Sequence, residues 1–233
     1  MRWSYGIATV DERLETLLPP TIASLARAGF HKPTLFVDGC EDPSKYDHFQ
    51  LPVAARRYKV KTNGHWMLSI QELYYRNPWC DRYAMFQDDI LCCQNLREYL
   101  EQWYPDKGYL NLCTYPENAD RIDGGSGWHP APRNGKGAQA LVFDQHSLKA
   151  LMSATYFFDW AKNRRTGFKN NDGAVYCSLK PQGYIEHVHM PSLVDHTGAE
   201  GKGVMGTRHQ PVITAFPGEE YDPLNKDQEG EHV

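Results

Sequence analysis

The chain has 233 residues, 41% of them hydrophobic, with a formal net charge of −4 and a pI near 6.2. That length can bury the core of one domain, and the mildly acidic balance removes any global electrostatic case for nucleic acid or a membrane surface. No apolar run approaches the ~18 residues that span a bilayer, and the N-terminus MRWSYGIATVDERLE lacks the apolar stretch of a signal peptide.

Six cysteines (Cys40, Cys80, Cys92, Cys93, Cys113 and Cys177) show no CxxC spacing, and four sit beside apolar or aromatic neighbours. They read as free thiols in a reducing compartment. The expectation is a soluble cytoplasmic protein.

Trp3 to Val10 is apolar enough for a first strand. Leu14, Leu17, Leu18, Ile22, Leu25 and Ala26 then recur near helical spacing, but Pro19 and Pro20 interrupt them. The helix is therefore expected from Thr21 and should end at Gly29. Thr34 to Val37 predicts a second strand with an Asp38-Gly39 exit turn, and Val53 to Val60 a short third. Met67 to Arg76 predicts a helix stopped by Asn77-Pro78.

Tyr83 to Phe86 follows as a strand apolar on both faces, as in a parallel sheet. Leu96 to Trp103 predicts a helix and Tyr109 to Cys113 a strand. Residues 117 to 137 are rich in Gly, Pro, Asn and Asp and read as a long loop, of a length that is usually functional or mobile. Ala138 to Phe143 returns as a strand, Gln145 to Ser153 and Asn170 to Leu179 as helices, and Tyr184 to Val188 as a last strand. This grammar is that of an α/β domain with a mostly parallel central sheet flanked by helices. The domain should span residues 1 to 216, and the acidic, turn-rich residues 217 to 233 should be disordered.

The most chemically pointed segment is RYAMFQDDI, a strand that stops on adjacent carboxylates, Asp88 and Asp89. Ligand sites in parallel sheets lie beyond the carboxyl ends of the strands. Two acids there repel unless solvated or bridged by a cation, and Mg²⁺ or Mn²⁺ with oxygen ligands is the natural bridge. A helix N-terminus favouring Asp is the structural alternative.

In order and spacing, YGIATVDERLETLLPPTIASLARAGF, TLFVDG, KTNGHWMLSIQELYYRN, AMFQDDI, GAQALVFDQHSLKAL and PSLVDHTGAEGK resemble the nucleotide-sugar-dependent glycosyltransferases of the GT-A fold, a Rossmann-like architecture. The resemblance runs from Tyr5 to about Lys202. It departs from the family at Gln87-Asp88-Asp89, where the pattern often shows Asp-x-Asp.

The resemblance implies a metal-dependent transfer of a sugar, most simply from a UDP-sugar, to an acceptor hydroxyl in the cytosol: a saccharide, a protein or a modified nucleic-acid base. Asp89 and His196 would ligate Mn²⁺ or Mg²⁺. Asp88 would face the ribose or donor sugar, and Lys202 would neutralise a phosphate. Asp172 would take the acceptor's proton, with N-capping as its structural alternative. Thr9 and Arg13 lie where the fold holds the nucleotide, Arg13 being otherwise a surface arginine. Asp38 would accept from the base or ribose, or serve its turn. Trp128 would stack on an acceptor, or anchor packing.

Two further signals point elsewhere. Glu186-His187-Val188-His189 with Asp195-His196 suggests a metal oxygenase or hydrolase, although Pro191 separates His196 from the pair. Arg56, Arg57, Lys59 and Lys61 around Tyr58, and Arg164, Arg165 and Lys169, form basic patches that are either a solvated face or a guide for a phosphate-bearing acceptor. A non-catalytic nucleotide-sugar or glycan binder of the same fold is the rival from another class.

Overall fold

The computed structural model describes residues 1–156, 171–200 and 215–225. In chain order its elements are β1 (Trp3–Val10), α1 (Leu18–Arg27), β2 (Thr34–Asp38), β3 (Val53–Arg56), α2 (Lys61–Arg76), β4 (Arg82–Gln87), β5 (Ile90–Cys92) and α3 (Leu96–Gln102). There follow β6 (Gly108–Asn111), α4 (Pro116–Ala119), β7 (Gly127–Pro130), β8 (Ala140–Asp144), α5 (Gln145–Ser153), α6 (Asn171–Leu179), β9 (Ile185–Met190) and β10 (Val194–His196).

Eight strands form one sheet in the order β3-β2-β1-β4-β8-β6-β9-β7. The β3-β2-β1-β4 half is parallel throughout, β8 runs antiparallel to both β4 and β6, β9 is parallel to β6, and β7 closes the edge antiparallel to β9. β5 and β10 make a separate antiparallel pair. The architecture is a single α/β domain with a mostly parallel central sheet flanked by helices.

Successive strand residues point to opposite faces, and both faces here are apolar. Ala84 and Phe86 of β4 join Ala140 and Val142 of β8 and Ile7 of β1 in one core, closed by Leu18 and Leu25 of α1 and Leu96 and Leu100 of α3. Tyr83 and Met85 join Leu141, Phe143 and Phe36 in the other, under Trp66, Met67, Ile70 and Leu73 of α2, Leu148 and Leu151 of α5, and Val175 and Leu179 of α6. Five or more large side chains per face, each shielded from water, make burial the main stabilising term. No helix among the described residues is long and apolar enough to cross a membrane.

Several expected boundaries shift for local physical reasons. Helix α1 starts at Leu18, not Thr21, because Pro19 and Pro20 fall in its first turn, where a backbone N–H has no helical acceptor to lose. Helix α2 starts at Lys61, six residues before the apolar periodicity begins, because the Asp38 carboxylate accepts from the Val60 and Lys61 N–H groups at 3.0 Å each. β3 stops at Arg56. The segment read as one long loop contains α4 and edge strand β7.

The tail has contacts within its described part. Residues 217 to 225 lie against the domain. Glu219 accepts from Ser24 (2.5 Å) and pairs with Arg27, the Gln94 N–H meets the Glu219 carbonyl at 3.0 Å, and Asn95 donates to Asp222 at 2.8 Å. Phe216 and Tyr221 pack on the core. Within the tail Tyr221 packs on the core and Glu219 is paired. Residues 226 to 233 lie outside the described residues.

Candidate active site

The parallel registers align the carboxyl ends of three strands. Val10 lies beside Asp38, and Ala8 beside Gln87, so Thr9 comes next to Asp88. Asp88 and Asp89 follow β4 directly and are 2% and 3% exposed. Burying two adjacent carboxylates is costly unless each finds a partner, and both do. The Thr9 hydroxyl donates to Asp88 Oδ2 at 2.6 Å. Arg13, on the short 3-10 turn after β1, places Nη1 against Asp88 Oδ1 and 2.9 Å from Asp89 Oδ2.

A second group reaches the pair from far along the chain. β10 runs antiparallel to β5 with His196 opposite Ile90, which sets His196 Nε2 3.3 Å from Asp89 Oδ2. The Thr197 N–H donates to the Asp89 carbonyl at 2.9 Å. Gly198 completes this cradle: a Cβ there would lie 2.4 Å from Asp89 Oδ2, so only glycine lets the backbone come this close.

Helix α1 holds the other side. The Thr21 hydroxyl accepts from the Ile90 N–H at 3.1 Å and has the Ile90 and Asp88 carbonyls at 2.9 and 3.0 Å for its proton. Ser24, one turn on, accepts from the Cys92 N–H at 2.8 Å. The i, i+3 hydroxyl pair thus replaces the sheet neighbour that β5 lacks on that edge.

Burial pushes Asp88 above the ordinary carboxylate range; Arg13 and Thr9 oppose that, while the charge of Asp89 adds to it. Asp89 goes the other way. Burial acts against its charge, but the contacts from His196 and Arg13 more than offset it and hold the carboxyl below its ordinary value. Arg13 keeps its charge firmly, because the two carboxylates outweigh its own desolvation.

Do these residues suit a divalent ion? The donor types are right, and Asp89 Oδ1 and His196 Nδ1 are buried with no partner among the described residues. The space between the carboxylates, however, belongs to Arg13. As arranged, no three His, Cys, Asp or Glu side chains among the described residues converge on one point that could hold an ion. An ion would be held by Asp89, His196 and Asp88 once Arg13 had moved.

Asp172 sits in the first turn of α6, as expected, and is itself held. Its Oδ2 accepts from the Gly137 N–H and its Oδ1 from the Gly173 N–H, both at 2.9 Å. Burial raises its carboxyl above the ordinary value against those two donors. Gly137 has φ +81°, and a Cβ there would strike the Tyr115 ring at 2.4 Å, which fixes the loop that meets Asp172.

The remaining expected site residues fall out differently. Thr9 is buried and donates to Asp88. Both oxygens of Asp38 accept from the backbone at the start of α2. Trp128 lies on β7 in a stack with Trp103 (5.5 Å) and Tyr99 (6.3 Å), with His189 edge-on at 5.0 Å. Lys202 lies outside the described residues.

The alternative histidine site does not assemble. His189 is locked between the Tyr99 hydroxyl (2.7 Å) and the Pro191 carbonyl (2.6 Å), and His187 packs against Trp103, while His196 stands on another element. In the first basic patch Arg56 pairs with Glu72 at 3.1 Å and Lys59 with Glu12. The second, Arg164, Arg165 and Lys169, lies outside the described residues.

Glu186, named in the sequence only beside the histidines of that alternative site, has different partners. Glu186 on β9 is 1% exposed and accepts from Asn111 (2.8 Å) and from the Gly135 N–H (2.6 Å). Burial pushes its carboxyl up to about 7 against those donors. It shares with Asp172 the loop of residues 135 to 137, since the Asn111 amide also donates to the Lys136 and Gly137 carbonyls at 2.7 Å.

No protein-family model and no curated protein matches the chain. Among solved structures it is similar to S. aureus TarS, at 11% identity and a TM-score of 0.52, over 81% of this chain and 35% of that one. It is also similar to a putative glucose-1-phosphate thymidylyltransferase from Bacillus anthracis, at 11% identity and TM-score 0.48 over 84% of this chain and 90% of that one. A third is a variant of Drosophila β1,4-galactosyltransferase 7 in complex with manganese, UDP-Gal and xylobiose, at 13% identity and TM-score 0.46 over 83% and 70% of the two chains. What such identities share is the fold, and the fold of this chain is GT-A-like.

Proposed function

We propose that the chain is a nucleotide-sugar-dependent glycosyltransferase that uses a divalent cation, Mn²⁺ or Mg²⁺, with a UDP-sugar as donor. The observation that carries this reading is the buried Asp88–Asp89 pair beyond β4, which β10 completes by bringing His196 to 3.3 Å. Burying two like charges at the ligand-binding edge of a sheet has a chemical use when a cationic or phosphate-bearing ligand is to be held there.

Asp89 and His196 are the residues we assign to the cation, with Asp88 beside them. When bound, the ion supplies a Lewis acid for the charge that develops on the nucleoside diphosphate leaving group. Arg13 offers a second, permanent positive charge to the same phosphates. Asp172 accepts the proton of the attacking hydroxyl. The raised carboxyl suits that role, because a base is most effective near the working pH, and the Gly137 and Gly173 N–H groups hold the carboxylate in place.

The reading is tested by thermal unfolding with UDP, GDP and CDP, each with Mn²⁺ and with EDTA. A ligand that binds the native state raises the midpoint by mass action, so one nucleotide should raise it, and more so with Mn²⁺. No shift with any of them would remove the assignment. Asp172→Asn should then lower turnover by about 10²–10⁴-fold while leaving the midpoint shift with nucleotide unchanged. An unaltered rate would remove Asp172 as the base.

A further inference from the structure

The cation expected between Asp88 and Asp89 has a resident competitor. Arg13 Nη1 touches Asp88 Oδ1 and lies 2.9 Å from Asp89 Oδ2, and the arginine side chain is only 17% exposed. Those are the two oxygens that face each other across the pair. A hard divalent ion binds carboxylate oxygen at roughly 2.0–2.6 Å, in the space the guanidinium nitrogen fills between them, so ion and guanidinium cannot share these oxygens.

Charge gives the same answer. With both carboxylates ionised, the pair and Arg13 leave one negative charge buried. A divalent ion in place of Arg13 leaves none, whereas an ion added beside Arg13 leaves an excess positive charge with two cations in contact. The rest of the site is built to wait for the exchange. Thr9 keeps Asp88 oriented independently of Arg13, and the Thr197 N–H and the Gly198 backbone keep Asp89 against His196. Asp89 Oδ1, buried and unpartnered among the described residues, is the spare ligand atom that Arg13 leaves unused.

We propose that Arg13 is a displaceable counter-cation: its guanidinium holds the Asp88–Asp89 pair until a divalent ion takes the same oxygens, and the two occupy the pair in mutual exclusion. Ion binding thereby frees an arginine at the mouth of the site for an anionic ligand. This rests on the cation assignment above.

The test is Mn²⁺ binding by electron paramagnetic resonance and by calorimetry on the full chain as wild type, Arg13→Gln and Arg13→Lys. Removing the competitor should tighten Mn²⁺ binding in Arg13→Gln by at least about tenfold, while Arg13→Lys, which keeps the charge, stays near wild type. Without metal Arg13→Gln should melt lower than wild type, and Mn²⁺ should recover more of that loss than it adds to wild type. Equal or weaker Mn²⁺ binding in Arg13→Gln, or no Mn²⁺ binding in either protein, overturns the proposal.

Should Arg13→Gln fail to fold, wild type alone decides. The Arg13 guanidinium nitrogen resonances should move on saturation with diamagnetic Mg²⁺, and unmoved resonances refute the exchange. UDP binding in EDTA is measured in parallel. Nucleotide binding without Mn²⁺–Arg13 competition defeats this inference and spares the glycosyltransferase reading; competition without nucleotide binding does the reverse.

Discussion

Asp89→Asn is expected to lower transfer by about 10³-fold or more, the scale seen when a fixed electrostatic partner of the reacting charge is lost, while the chain still folds. The substitution removes a charge but little volume. Arg13 keeps Asp88 as its partner, the Asp89 backbone carbonyl still accepts from Thr197, and Gly198 still has room to close on the side chain. What disappears is the one carboxylate that stays below the ordinary range through His196 and Arg13. Asp88→Asn should cost less, since burial already favours the neutral form of Asp88. The readouts are transfer and donor hydrolysis beside a thermal melt. Transfer retained in Asp89→Asn, with a normal melt, would remove the pair from the chemistry.

The difference between the two acids was not legible in the sequence, where Asp88 and Asp89 are simply neighbours. What was legible is what depends on short-range pattern. Tyr83 to Phe86 is apolar on both faces because β4 lies between β1 and β8 under helices on either side. The stop on two acids marks the carboxyl edge of the sheet, where α1 and α2 begin. His196 could be set beside Asp89 only through the family resemblance, for β10 is three residues long and carries no alternation to read.

Long-range partners account for most of what was missed. Thr21 and Ser24 look like ordinary polar helix residues until β5 is placed beside them, about seventy residues on. Asp38 looks like a turn signal, yet it starts α2 across more than twenty residues. Trp128 stands in a segment of loop composition and is captured by Tyr99 and Trp103 of α3 and its end. As sequence, Arg13 is a nucleotide contact or a surface arginine; its pairing with both acids depends on β1 and β4 lying side by side. The common cause is that one-dimensional periodicity reports which face is buried but not which residue waits there.

Glu186 is the sharpest case, and it yields the second large prediction. Its carboxyl is pushed up by burial to about 7, from an ordinary value of 4.5. Between those values the native chain keeps a proton that the unfolded chain has released. Stability linked to this group is therefore greatest below about pH 4.5, falls as pH rises through that window, and levels off above pH 7, a loss of about 3 kcal/mol. The wild-type profile will not show this cleanly. His65 and His189, both pushed down to about 4 by burial, titrate with the opposite sign, since their unfolded forms take up protons as pH falls through 6.5.

Comparison with Glu186→Gln isolates the one group. The variant carries a constant penalty, because the Gly135 N–H or the Asn111 amide then faces an amide donor. That penalty does not change with pH. Glu186→Gln should accordingly be the less stable protein at pH 4.5 and should gain about 3 kcal/mol on wild type by pH 8, as read from denaturant midpoints at each pH. A difference that stays flat across the range would mean that Glu186 is ionised throughout. The loop of residues 135 to 137 would then be held beside Asp172 by a permanent carboxylate rather than by one that loads with pH.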